Sequence, residues 1–319
     1  MTVAPPLDTL RAPLRSAPPT HGSRRWRYLP YYLAISPFFI LFAIFGLYPI
    51  LYSLFLSLQR WDGVGPMHFV GLANFGFLFT DTTFWNSIGN TLIIWVLSTV
   101  PMTALALVIA VGLNSSIRFK GVYRIAYFLP NVTSVVAASL VFGSIFSEQF
   151  GIFNWLLGLV GIHGVPWLTN PWGIKAAVSI MIIWRWVGYN SIIFLAGLQA
   201  IPADVYEAAK LDGANAVQTF FRVTLPLLRP VLLFSVLMSA INGMQIFTES
   251  QVLVGNRGGP SEGGLTMVLY FYNEAFYNNN FGYGAAIAWG IFLVVVIFAI
   301  INWRLIQRPD RTIGKGVSR

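Results

Sequence analysis

The sequence predicts an all-α, polytopic membrane protein with six transmembrane helices. Three observations carry that reading. Asp, Glu, Lys and Arg make up 10% of the 319 residues, hydrophobic residues make up 56%, and mean hydropathy is +0.68; a soluble domain carries roughly 25% charged residues. Charge-free stretches recur at 28–59, 82–117, 125–147, 176–203 (broken only by Arg185), 230–248 and 275–303. Each is long enough to span, since a transmembrane helix needs about 20 mostly apolar residues. Finally, counting six spans places nearly all basic residues on one side.

Taken in order, residues 1–27 hold Pro5, Pro6, Pro13, Pro18 and Pro19 with five Arg. Such a composition buries no core and predicts a disordered cytoplasmic tail. A transmembrane domain then covers 28–306. Its first span, about 31–58, contains Pro37 and Pro49, which a bundled membrane helix tolerates. It is too long for a signal-peptide core and no small-residue cleavage site follows, so it is expected to be retained. Residues 60–86 read as an outer loop rich in Gly and aromatics. Spans two and three are expected at about 88–113 and 122–147, joined by the short turn NSSIRFKG.

A seventh charge-free stretch, 149–174, carries Gly151, Gly158, Gly161, Gly164, Pro166 and Pro171. Its apolar core, Ile152 to Ile162, reaches only half a membrane thickness, so it is expected to be interfacial or re-entrant on the outer side. Span four follows at about 174–198. A polar segment begins at IPADVYEAA, with Asp204 and Glu207 near the positive end of a new helix. Pro226 and Pro230 mark the expected entry into span five, about 230–253. The outer loop GNRGGPSEGG lacks the Gly-Lys-Ser/Thr of a phosphate-binding loop. Span six is expected at about 283–305, with a cytoplasmic tail at 307–319.

Basic residues set the orientation. Of 20 Lys and Arg, Arg60, Lys175 and Arg257 fall outside and Arg185 falls within a span, which leaves 16 inside. Both termini and the 203–226 segment are therefore expected in the cytoplasm, and the net charge of +9 is a product of topology. The basic residues flank spans and form no single patch, which argues against nucleic-acid binding. With no Cys, disulfides and thiolate metal sites are excluded. His21, His68 and His163 show no metal-ligand spacing, and no triad spacing of a membrane enzyme is visible. Spans almost free of acids also argue against a transporter driven alone by an ion gradient.

The segment EAAKLDGANAVQTFFRVTLP, from Glu207 to Pro226, resembles the EAA loop of ATP-binding-cassette importer permeases. Glu207, Ala208, Ala209, Gly213, Leu225 and Pro226 fit that pattern, Asp212 lies inside it, and Val223 stands where Ile is usual. Small Ala208 and Ala209 let another protein approach closely, Glu207 can pair with a base, and Gly213 permits a tight bend. From about residue 30 to 305 the chain is similar to permeases of carbohydrate-uptake importers, in RFKGVYRIAYFLPNVTS and FGYGAAIAWGIFLVVV as well. The resemblance implies a coupling helix, a second homologous permease subunit, two ATPase subunits that bind ATP and Mg, and an extracytoplasmic solute-binding protein. This chain would supply half the pathway in the inner membrane and bind no cofactor itself. It has no Walker motif. FTES and SLQRWDG resemble disaccharide permeases of lactose or cellobiose type.

Polar groups at membrane depth face a bundle interior or a cavity. Span four carries Trp184, Arg185, Trp186, Tyr189 and Asn190 near its middle. Span five carries Asn242, Gln245 and Glu249, whose spacing of 3 and 4 predicts one helix face. Sugars present apolar C–H faces and hydroxyls, so aromatic planes with amides or a carboxylate suit them. Aligned with maltose-type permeases, the solute-contact positions fall at Trp184, Trp186, Tyr189, Ile241, Asn242 and Gln245; Trp186 replaces a Gly and Ile241 an aromatic. Trp and Tyr in membrane helices also serve as packing residues or interface anchors, which leaves both roles open. Arg185 is expected in an ion pair, with Glu249 as its acid within a span, or snorkelling.

Overall fold

The computed structural model describes residues 28–115 and 118–306; the tails expected at 1–27 and 307–319 lie outside them. The chain divides into two units, one up to Ser53 and one from Leu54. The first contains most of helix α1, Leu29–Ser57, in which no side chain from Leu29 to Leu47 is buried. A π-helical turn occupies Ala43–Leu47, where the Tyr48 N–H reaches back to the Ala43 carbonyl. A proline ring strikes the carbonyl four residues earlier. The wide turn lies just ahead of Pro49 and gives that ring room.

The second unit opens with a small hairpin, β1 (Gln59–Arg60) antiparallel to β2 (His68–Phe69), with Gln59 opposite Phe69. Two helices follow, α2 (Ala73–Thr80) and α3 (Thr82–Asn114). Much of the segment expected as a loop at 60–86 is thus helical. Asp81 starts α3 early by accepting the Thr83 N–H at 2.9 Å, which meets one of the orphan donors of a helix start. Its other oxygen accepts the hydroxyls of Tyr270 and Tyr283. Burial first, and then the bond to Asp81, push the Tyr270 phenol above its ordinary range, so Tyr270 stays the donor.

The third expected span is broken. It forms α4 (Lys120–Val132) and α5 (Val135–Ile145), bent by 94°. Pro130 removes a helical donor near the end of α4, Thr133 turns extended with ψ of 148°, and its hydroxyl donates to the Pro130 carbonyl at 2.6 Å. Counting this pair as one bent span gives six; five further helices among the described residues are long and apolar enough to cross. Helix α6, Ile152–Leu159, has eight residues and is too short to cross. Asn154 ties it down by donating to the Val165 carbonyl and accepting from Val165 N and Trp167 Nε1.

Helix α7, Pro171–Gln199, is the axis of the bundle. Asn170 caps it, accepting the N–H groups of Trp172 and Gly173, and Pro171 occupies the first turn, where no donor is needed. Ile174, Ala177, Val178 and Met181 pack with Ile94 of α3 and Phe142 of α5. Farther along, Phe194, Leu195 and Leu198 pack with Ala106, Ala110 and Leu113 of α3. Lipid tails are as apolar as Leu, so helices in a membrane associate through close packing and small residues. Gly188 is such a point: a Cβ there would lie 1.7 Å from the Tyr127 carbonyl of α4.

After α7 come α8 (Ala203–Leu211), α9 (Ala216–Gly243), α10 (Thr248–Val254), α11 (Met267–Tyr272) and α12 (Phe281–Ile306). The helix expected over 230–253 therefore begins earlier and stops sooner. A second π turn at Phe220–Thr224 lies ahead of Pro226 and carries the helix through that proline. Gly243, a poor helix former, ends α9. The Ile246 carbonyl then accepts from Thr266 at 2.6 Å.

Candidate functional site

A cavity of about 200 Å³ lies where α3, α7, α9 and the start of α10 meet. Trp186, Tyr189, Asn242, Gln245 and Glu249 all line it. The single-face argument for the last three does not hold, because α9 ends at Gly243 and Glu249 sits in the first turn of α10. Asn242 is in the last turn of α9, and Gln245 occupies the gap. The break in the helix, and not helical periodicity, brings the three together.

Trp184 does not line the cavity. Its ring meets Phe142 of α5 edge-on, with centroids 5.2 Å apart. Two residues turn an α-helix by about 200°, so Trp184 and Trp186 face opposite ways. Trp186 and Tyr189 are on one face and pack edge-to-face at 5.6 Å. Ile241 is absent from the lining.

Arg185 and Glu249 form an ion pair at 3.6 Å, with side chains 19% and 14% exposed. The guanidinium also lies 5.9 Å from the centre of the Trp186 ring. Its Nε is buried without a hydrogen-bond partner among the described residues. The pair joins the middle of α7 to α10, so it fixes the segment beyond the helix break against the bundle.

Several lining residues escaped the sequence reading. Ser235 and Ser239 lie on the cavity with Asn242, at a spacing of 4 and 3 that marks one face of α9. Ser235 donates to the side-chain amide oxygen of Asn190, and Ser239 shares a 2.6 Å hydrogen bond with Thr99. That serine spacing was visible in the sequence. Trp95, on α3, lines the cavity with no such signal. Its ring lies against Gly243, where a Cβ would come within 2.3 Å of Cδ1.

The second arrangement is the hairpin of α8 and α9. Helix α8 ends in a Schellman motif: Gly213 N–H donates to the Lys210 carbonyl and Ala214 N–H to the Ala209 carbonyl, each at 3.0 Å. Gly213 has φ of +76°, the left-handed conformation that this motif requires. Asn215 starts α9 with a reciprocal capping box to Gln218. Four residues, Asp212 to Asn215, therefore turn one helix rigidly into the next. Asp204 in the first turn of α8 and Lys210 in the last both suit the helix dipole. Glu207, Ala208, Asp212, Gly213 and Pro226 are exposed, while Ala209 is buried at 8%. Leu211, 89% exposed beside them, is an apolar side chain that the sequence reading missed.

Residues 90–311 match the family described as binding-protein-dependent transport system inner membrane component. The lactose transport system permease protein LacF of Rhizobium radiobacter is 40% identical over 85% of this chain and 92% of its own length. The arabinooligosaccharides transport system permease protein AraP of Halalkalibacterium halodurans is 40% identical over 84% of each chain. The trehalose/maltose transport system permease protein MalF of Thermococcus litoralis is 33% identical over 85% of this chain and 91% of its own. Among solved structures, a bacterial alginate ABC transporter in complex with a pentasaccharide-bound periplasmic protein contains a chain that superposes with a TM-score of 0.77. The match covers 91% of this chain and 98% of that one, and at 22% identity it speaks for the fold alone. With its bundle of apolar helices, this chain is a multi-pass membrane permease and belongs to the family of inner membrane components of binding-protein-dependent transport systems.

Proposed function

We propose that this permease imports a sugar, forms half of the translocation route, and is driven by ATPase subunits that dock on the α8–α9 hairpin. The observation that carries the sugar reading is the convergence of Trp186, Tyr189, Asn242, Gln245 and Glu249 on one cavity within the bundle. Aromatic faces stack on sugar C–H groups, and the amides and carboxylate bond hydroxyls. The names of the relatives, which carry lactose, arabinooligosaccharides and trehalose/maltose, support the same class. A lactose- or cellobiose-type disaccharide is the solute we favour. At about 200 Å³ the cavity is smaller than the 300–1,000 Å³ of typical ligand sites, which suits a site completed by a second, homologous permease.

The hairpin is proposed as the coupling element. Glu207, Ala208, Asp212, Gly213 and Pro226 would contact the ATPase, with Leu211 inserted between the two proteins, while Ala209 holds α8 to the bundle. α9 continues from this hairpin to Asn242 without interruption. A push on the hairpin would therefore move the cavity wall directly. ATP and Mg would be bound by the two ATPase subunits. An extracytoplasmic binding protein would deliver the solute on the opposite side, and both termini would lie in the cytoplasm.

The test is purification of the tagged chain from its native membrane, followed by sugar uptake in proteoliposomes. Copurification of an ATPase and uptake dependent on both ATP and a binding protein are expected. A chain that transports sugar without an ATPase would overturn the proposal.

A further inference from the structure

Among the described residues Glu249 is the one charged residue that lines the cavity, and the wall it forms with Asn242 and Gln245 has unspent hydrogen-bond acceptors. Asn242 donates its Nδ2 to the Met238 carbonyl at 2.8 Å, and Gln245 its Nε2 to the Ile241 carbonyl at 3.1 Å. A carbonyl only accepts, so these bonds fix which end of each amide is nitrogen. Both amide oxygens are left without a partner among the described residues. Glu249 meets Arg185 at 3.6 Å, too far for a hydrogen bond, so its carboxylate also keeps its acceptor capacity. The donors around this wall are neutral: Ser98 gives its proton to the Trp95 carbonyl and Ser235 to the Asn190 amide oxygen, while Trp95 Nε1 and the second N–H of each amide stay unspent among the described residues.

Resting on the proposal that this cavity lies on the sugar route, we infer that it selects uncharged, hydroxyl-rich saccharides against acidic ones. A neutral sugar brings hydroxyl donors to three waiting acceptors. A uronate, aldonate or sugar phosphate brings a negative charge toward the Glu249 carboxylate. Arg185 is not among the lining residues, and its charge is opposed by Glu249 at 3.6 Å. The discrimination is made by charge, since the described lining carries one acid and no base.

The experiment uses the complete permease–ATPase complex in nanodiscs, with Met238→Cys as the only thiol on this chain; Met238 lines the cavity and is 39% exposed. The rate of maleimide labelling on this chain is measured with lactose, maltose or cellobiose, and with the matching anion lactobionate. A neutral disaccharide is expected to slow labelling by about threefold or more, in line with one or two hydrogen bonds, while lactobionate is not. Adding Asn242→Lys, which replaces an acceptor with a cation at an exposed position, is expected to create protection by lactobionate. Equal protection by both sugars in the parent, or no gain in the lysine variant, overturns the inference and leaves the route reading intact. Protection by no sugar in either background removes the cavity from the route, and the inference falls with it.

Discussion

The carboxylate of Glu249 on α10 lies 3.6 Å from the guanidinium of Arg185 on α7, across a break in the membrane helix between Gly243 and Thr248. Burial makes this pair sensitive to loss of either partner. Removing one member leaves an uncompensated charge, which costs about 3–5 kcal/mol in a buried setting. Arg185→Gln and Glu249→Gln are each expected to lower the yield and thermal midpoint of the assembled protein. The exchange of both, Arg185→Glu with Glu249→Arg, should recover part of the loss. Absence of any recovery would show that position, and not pairing, governs these residues.

Gly188→Ala should damage the bundle. The added methyl would meet the Tyr127 carbonyl at 1.7 Å, and overpacking of that kind costs about 1–3 kcal/mol or more. The comparison is Gly89→Ala, whose methyl meets nothing within 4 Å. Thermal unfolding of the two purified variants should show a clear drop for the first and none for the second.

Gly213 separates conformation from charge. Its φ of +76° penalises most side chains by about 1–2 kcal/mol, and Asn tolerates it best. A Cβ there meets nothing within 4 Å, so the protein itself does not exclude a side chain. Gly213→Asn should retain most transport. Gly213→Asp should insert normally yet lose ATPase association, if a partner covers this turn. Pull-down of the ATPase from membranes distinguishes these outcomes from simple misfolding.

Asn242→Ala and Gln245→Ala should each lower uptake per assembled complex by a factor that corresponds to about 0.5–1.5 kcal/mol. Stimulation of ATP hydrolysis by the loaded binding protein should persist. A packing role would instead reduce yield while surviving complexes transport normally.

Orientation is open to direct labelling, because the chain has no Cys. A membrane-impermeant maleimide applied to intact cells or spheroplasts should modify Ser261→Cys and spare Lys210→Cys. Labelling at 210 from outside would reverse the orientation that the basic residues predict.

Composition alone determined that this chain crosses a membrane several times, because the bilayer requires long apolar stretches and the local sequence must supply them. The helix–turn–helix at 203–219 was legible for the same local reason: Gly213 and the residues around it encode their own turn. Local signals also misled. Asn242, Gln245 and Glu249 have the spacing of one helix face, yet α9 stops at Gly243. The Ile246 carbonyl is instead satisfied by Thr266, twenty residues away in sequence. Helical spacing already turns Trp184 and Trp186 to opposite faces, but only the tertiary structure decides that the first meets Phe142 and the second the cavity. The bend between α4 and α5 had its warning in Pro130, but its angle belongs to tertiary packing, where α4 lies across Gly188 and α5 packs beside Leu253 of α10. In a membrane the hydrophobic pattern marks which segments enter the bilayer. It does not rank the apolar faces against one another, so close packing and the pairing of a few polar groups decide which of them meet.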